Sequence, residues 1–169
     1  MGSVWIIADT HLKCQPRKRV KEAGLSGSEL DELIVENWRR AVSPDDIVWH
    51  LGDVGCLQTV KCLPGLKRLV TGNGDKSGMC LASGAFISVK KRDVFEDIEL
   101  VHQPTDARAG GVVFHGHLHG ESDSRPAFLC LSVDQTGFAP ISWTDALFRS
   151  SERLALSRRQ VPLNHPLSI

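Results

Sequence analysis

Apolar residues in this chain fall into short runs, and most of those runs stop at an aspartate, an asparagine or a histidine beside glycine. Ser3 to Ala8 is continuous and β-prone and ends in Asp9-Thr10-His11, the pattern of a buried strand delivering polar side chains at its carboxyl end. Asp46 to Leu51 repeats it with Gly52-Asp53, Lys67 to Thr71 with Gly72-Asn73-Gly74-Asp75, and Ile98 to Val101 with His102. Val112 to Phe114 leads through His115 to Gly116-His117-Leu118-His119-Gly120. Ala85 to Val89, Ala127 to Val133 and Pro140 to Trp143 read as further strands, with Lys90-Lys91-Arg92-Asp93 as a solvated hairpin turn.

Between the first two runs the apolar period changes. Leu30, Leu33, Ile34, Trp38, Ala41 and Val42 share a helix face, and Ser28 with Asp31 makes a capping-box-like start. The helix must end before Ser43-Pro44, because proline disfavours helical geometry in the residue before it. Leu57 to Leu63 predicts a short helix stopped by Pro64-Gly65. Lys13 to Gly27, with Pro16, Gly24 and the basic run Arg17-Lys18-Arg19, reads as a surface loop, and a second loop runs to Gly84. Thr144 to Arg149 predicts a last helical turn. The pattern is β-α-β at the start and strand-rich after it, which predicts an α/β domain over residues 1–149 and a tail over 150–169 that includes His165.

Composition narrows the choice. A chain of 169 residues that is 41% apolar can bury one ordinary core. Twenty basic residues balance twenty acidic ones, which disfavours a membrane-surface role or a long nucleic-acid partner. The first apolar run is too short for a signal segment, and no run is long enough to span a bilayer. Cys14, Cys56, Cys62, Cys80 and Cys130 are scattered and odd in number, as expected of reduced thiols in the cytoplasm.

The strand ends carry the chemistry. In open α/β sheets ligands bind at the carboxyl ends of strands, where Asp9, His11, Asp53, Asn73, His102, His117 and His119 all fall. Nitrogen and oxygen donors mixed in this way suit Mn, Fe, Zn or Ni better than Ca or Mg. Two such ions about 3.5–4 Å apart serve in-line displacement at phosphorus. Taken singly, each residue also has a plain structural reading: Asp9 a turn cap, Asn73 a tight turn between glycines, His102 a satisfied core histidine. His50 and His115 sit inside predicted strands and fit core or supporting roles better than ligation.

The ordered set Asp9-x-His11, Gly52-Asp53, Gly72-Asn73-x-Asp75, His102 and Gly116-His117-Leu118-His119 resembles the calcineurin-like metallophosphoesterases, the small bacterial and phage members in particular. The resemblance implies a β-sandwich flanked by helices and a catalytic centre with two divalent metals. It puts Asp9, His11 and His119 on the first metal, Asn73, His102 and His117 on the second, and Asp53 between them. Asp53, Asn73 and Asp75 would be the catalytic residues, Asp75 by orienting a ligand or loop. A phosphate-ester small molecule or nucleotide would be the substrate, meeting Asn73 and position 74.

At position 74 the chain departs from the family. Most members carry histidine there, beside the substrate, where general acid catalysis typically contributes roughly 10²- to 10⁴-fold. Gly74 supplies no such group, which favours diesters or acidic leaving groups over monoesters. Lys13, Arg17 and Lys76 are the cations close in sequence to the ligand turns and would replace part of the missing charge. Two other readings stay open: a nuclease or cyclic-nucleotide phosphodiesterase, and a catalytically weak metal-binding scaffold whose surface binds a partner protein.

Overall fold

The computed structural model describes residues 2–108 and 110–159. Its core is two mixed sheets with helices, an α/β arrangement. The first sheet begins with β1 (Val4–Ile7), β2 (Ile47–His50), β3 (Leu66–Val70) and β4 (Ser88–Lys90), all parallel, and is closed by β9 (Ile141–Ser142) antiparallel to β1, in the order β4-β3-β2-β1-β9. The second has the order β5-β6-β7-β8, from β5 (Arg92–Phe95), β6 (Ile98–Val101), β7 (Val113–His115) and β8 (Phe128–Cys130), with β5 alone antiparallel.

The two apolar clusters define the layers. Ile6, Ala8, Trp49, Leu51 and Val70 of the first sheet and its strand ends pack against Leu100, Phe114, Leu129 and Leu131 of the second. On the opposite face Ile7, Val48 and Leu69 meet Ile34 and Trp38 of α2 (Gly27–Ala41), Val60 of α3 (Leu57–Lys61) and Cys80 of α4 (Ser77–Ala82). Alternate side chains of one strand thus go to two different cores, which is why these strands read as unbroken apolar runs. The parallel strands of both sheets end on the same rim, and every candidate ligand stands there or in the turns beyond it.

Six local expectations change. Residues 13–27 are not all loop: α1 (Arg17–Ala23) follows Pro16 and stops at Gly24, which is left-handed at φ 66°. Pro16 and Gly24, read as loop signals, mark the two ends of a helix. The cap of α2 is Ser26 with Glu29, each side chain bonding the other's backbone N–H, two residues before the expected pair. Asp31 is instead engaged by Lys13 N–H and the Gln15 amide, tying α2 to the loop after β1.

The loop expected before Gly84 contains α4, and the strand expected at Ala85–Val89 begins only at Ser88. Lys90-Lys91-Arg92-Asp93 is not a hairpin turn, because β4 and β5 belong to different sheets and the chain crosses between them at Lys91. Residues 150–159, expected as the start of a tail, continue α5 (Trp143–Arg159), and Ser150 is buried. Residues 160–169, with His165, lie outside the described residues. Among the described residues no helix is long and apolar enough to cross a membrane.

Candidate metal centre

Interlocked turns build the site. Asp9 N–H donates to Gly52 O at 2.9 Å and His11 N–H to Asp53 O at 3.0 Å, so the turns after β1 and β2 are stitched side by side. Two glycines let them close. A Cβ on Gly52 would come within 2.7 Å of His102 Nδ1, and one on Gly116 within 2.6 Å of Asp9 Oδ2. Asp9, His11, Asp53, His117 and His119, five of the seven candidate ligands, have φ between +44° and +71°. Non-glycine residues adopt this left-handed region at a cost of order 1–3 kcal/mol each, and only where their surroundings enforce it.

The structure brings all seven side chains to one place. One ligand atom each from Asp9, His11 and His119 lie within 4.8 Å of one another, and so do those from Asp9, Asp53 and His102. Asp53 Oδ2 stands 3.6 Å from both His11 Nε2 and His102 Nε2. Asn73 Oδ1 and His117 Nδ1 approach the same His102 nitrogen at 3.0 and 3.3 Å. Asp9 belongs to both groups, and Asp53 Oδ2 lies as near His11 as His102.

Protonation gives this convergence its meaning. His102 Nδ1 is 2.8 Å from the Leu51 carbonyl, which can only accept, so the proton sits on Nδ1 and Nε2 presents a lone pair. His102 Nε2 then faces Asn73 Oδ1, Asp53 Oδ2 and His117 Nδ1, three further potential ligand atoms. Asp9 Oδ1 and His11 Nε2 are buried without a hydrogen-bond partner among the described residues. Such lone pairs are costly unless a cation collects them. The donor set therefore fits divalent metal.

Titration follows the same logic. Burial raises the Asp9 carboxyl to about 6, against the pull of His102 and His119. Burial lowers His11 to about 4 and lowers His117 as well, which keeps both imidazoles neutral and free to ligate near pH 7. His119 moves upward, chiefly through its hydrogen bond to Asp134.

Asp134 and Arg19 are residues to which the sequence assigned no role at the site. Arg19, on α1 and only 3% exposed, bonds both oxygens of Asp134, the Asp9 carbonyl at 2.8 Å and Gln15 Oε1 at 2.9 Å. Asp134 Oδ2 in turn faces His119 Nδ1 at 3.1 Å. Arg19 Nη2 lies 2.7 Å from that nitrogen too, and because arginine only donates, the two approaches ask for opposite protonation. The hydrogen bond to Asp134 that moves His119 upward needs Nδ1–H, and in that tautomer Nε2 is the lone-pair nitrogen. Although burial opposes it, Asp134 itself is held far below the usual carboxylate range by His119 and Arg19. Proline and glycine flanking a basic run were the available signal for α1; that Arg19 turns inward was not.

Asp75 does not reach a ligand side chain. Its carboxylate accepts the N–H groups of Asp53, Val54 and Gly72 at 2.8–3.0 Å and so fixes the Asp53 turn. Gly74 N–H donates to Asp53 Oδ1 at 2.8 Å, and a 220 Å³ cavity beside it is lined by Leu57, Lys76 and Met79. Of the three cations proposed to replace missing charge, Lys76 is the one that shares this cavity. A second cavity, of 390 Å³, lies between α1 and the histidine turn, where Lys18 and Glu121 stand 3.8 Å apart. His50 is buried and satisfied by Thr10 Oγ1 and Gly52 N–H, and His115 is buried with Nδ1 on Gly116 O.

Comparison with known proteins adds fold and kinship. No family profile matches the chain. It is 32% identical over 85 residues to the Gene 66 protein of Mycobacterium phage D29, covering 45% of this chain and 42% of that one. To the Gene 66 protein of Mycobacterium phage L5 it is 29% identical over 84 residues, covering 44% and 41%. The chain thus spans less than half the length of the curated relatives it matches. Among solved structures, a protein of unknown function from Aquifex aeolicus, AQ665, superposes with a TM-score of 0.67 over 86% of this chain and 97% of that chain at 21% identity, a likeness of fold.

Proposed function

We propose that the protein is a dinuclear-metal phosphoesterase of the calcineurin-like kind, its two facing sheets forming that family's β-sandwich flanked by helices. The observation that carries the reading is the placement of Asp53 Oδ2 3.6 Å from both His11 Nε2 and His102 Nε2, beside Asp9 Oδ1, which like His11 Nε2 is buried without a hydrogen-bond partner among the described residues. Two ions of Mn, Fe, Zn or Ni held there would lower the pKa of water and neutralise charge on a phosphate ester. Asp9, His11 and His119 would hold one, Asn73, His102 and His117 the other, with Asp53 and Asp9 between. Asp75 and the Gly74 N–H keep Asp53 in place, and Arg19 with Asp134 fixes His119.

Asn73 and Gly74 are exposed on the rim, where a substrate arrives. Gly74 offers a backbone N–H already engaged by Asp53 and no proton for a departing alkoxide. The cation in the adjoining cavity is Lys76. This balance suits a phosphodiester monoanion better than a monoester dianion. The scattered thiols support action in the cytoplasm.

The test is reconstitution with Mn²⁺, Ni²⁺ or Zn²⁺ and comparison of an aryl phosphodiester with an aryl phosphomonoester, using Asp53→Ala as control. Metal-dependent hydrolysis with the diester favoured is expected. No turnover above the Asp53→Ala background on either ester overturns the reading and leaves the metal-binding scaffold in its place.

A further inference from the structure

The crossover from β4 to β5 runs along the outer side of two of the three segments that carry the second ligand set. Lys90 O accepts the N–H of Thr71 at 2.8 Å, and Thr71 is two residues before Asn73, at most about 7 Å of chain. On the other side Arg92 pairs in register with Val101, the residue before His102. Lys91 joins them at the rim, next to the segments whose Asn73 and His102 side chains meet at 3.0 Å. A 470 Å³ cleft opens here, lined by Lys90, Lys91, Arg92, Arg108 and one carboxylate, Asp106.

Charge in this cleft is unevenly compensated. Lys90 is paired with Asp93 at 2.9 Å, and Arg92 with the buried Glu99 at 2.8 Å. Lys91 and Arg108 are exposed and make no ion pair among the described residues. Asp106 offsets one of them. Two cations facing one carboxylate beside a centre that handles phosphate form an anion site with room for more than a phosphate group.

Resting on the phosphoesterase reading, we propose that this cleft takes the phosphate next to the scissile one, so that the substrate is a short single-stranded oligonucleotide. Lys90 and Arg92 lie on β4 and β5, each one strand out from β3 and β6, which lead to Asn73 and His102, and none of the candidate ligands lines the cleft, so it stands about one strand spacing outside the metal centre. Two phosphorus atoms joined through one oxygen are too close together to occupy both, whereas phosphates separated by a sugar reach. The zero net charge, and the two cations of the cleft that make no ion pair among the described residues, favour one strand of a few nucleotides over a long duplex. Affinity comes from the phosphates and carries the salt dependence of counterion release, without sequence preference.

The experiment is fluorescence anisotropy of a labelled six-nucleotide oligothymidylate with metal-free protein in EDTA, titrated with salt. Lys91→Glu with Arg108→Glu is expected to weaken binding at least tenfold at low salt. The slope of log K against log salt should become shallower by about 0.7 for each phosphate that is no longer neutralised. The single Lys91→Gln variant should show half of that change in slope, and Arg39→Glu on α2 should change affinity less than twofold. Both altered cleft side chains are exposed, and circular dichroism checks that the fold survives. Equal affinity of wild type and double variant overturns the proposal. Displacement by a nucleoside diphosphate at lower concentration than by a 5′-phosphorylated dinucleotide overturns the strand as ligand in favour of a polyphosphate. Because no metal is present and no hydrolysis is read, this assay can fail while the aryl-ester assay succeeds, and the reverse.

Discussion

Arg19 and Asp134 face each other across the back of the site, Nη2 to Oδ2 at 2.5 Å and Nε to Oδ1 at 2.8 Å, a two-pronged pair with the arginine side chain 2% exposed. They are 115 residues apart in the chain, and between them they support His119 and the backbone of Asp9. Removing one partner strands a buried charge, which typically costs about 3–5 kcal/mol. Arg19→Met is therefore expected to lower unfolding stability by about 3 kcal/mol in a denaturant titration. Arg19→Lys keeps the charge but not the fork, so it should recover part of the stability and little of the metal affinity.

Asp9 is held at a disadvantage when no cation is present. Its folded carboxyl, raised to about 6 by burial, lies above the ordinary 3.8. A group raised in this way contributes stability that is present below the unfolded value and lost as pH rises through the folded one. Metal-free protein should thus lose stability between pH 4 and pH 6 through this residue. Asp9→Asn, which keeps an acceptor for His117 N–H, should raise the metal-free Tm at pH 7.5 while abolishing metal uptake. Differential scanning calorimetry with EDTA and with Mn²⁺ checks both halves, and a variant no more stable than wild type in EDTA contradicts them.

Metal binding should itself depend on acid. Protons compete for Asp9 below pH 6, and for His119, which is shifted upward. Mn²⁺ at 100 times its dissociation constant should stabilise the fold by about 2.7 kcal/mol. That increment should shrink between pH 7 and pH 5 and be absent in Asp53→Ala, as read by isothermal calorimetry alongside the thermal shift.

Gly74→His tests the proposed role of position 74. Position 74 is not left-handed, and a Cβ there would come 3.1 Å from Asp53 Oδ1, so a small shift admits a side chain while its N–H keeps its bond. Monoester turnover is expected to rise roughly 10²-fold with less effect on an aryl diester. Unchanged monoester turnover, in a variant that still binds metal, would show that position 74 does not limit the reaction.

Asp46 anchors the opposite end of β1 and β2, away from the candidate site. It accepts the N–H groups of Ser3 and Ser43 and the Trp5 indole at 2.7–2.9 Å, and these bonds, that from Ser43 first, hold its carboxyl below the ordinary value. A depressed carboxyl contributes stability above its unfolded pKa, and loses it as pH falls through the folded one. Asp46→Asn should cost about 1–2 kcal/mol at pH 7 and almost nothing at pH 2.5, as measured by urea unfolding at both.

Local order in the chain settled a good deal of this molecule. β1 and β2 could be read because each is a short apolar run between two cores that stops where a polar turn leaves the sheet, whereas β5 reads as a turn because Arg92 and Asp93 break its run. The Asp9-x-His11, Gly52-Asp53, Gly72-Asn73 and Gly116-His117-Leu118-His119 turns were visible because glycine beside a potential ligand is a local pattern. Helix α1 has its signals in the sequence, yet they do not separate it from a loop, since proline and glycine punctuate both.

What only the tertiary structure decided is the relation between segments far apart in sequence. Nothing near Arg19 announces Asp134, because a buried arginine and its carboxylate need share no local pattern. Nothing in Lys90-Lys91-Arg92 tells a hairpin from a crossover, because that depends on which sheet the next strand joins. The left-handed φ of Asp9, His11, Asp53, His117 and His119 is likewise imposed from outside. Side chains other than glycine resist that geometry, and only the packing of neighbouring turns holds five of them there together.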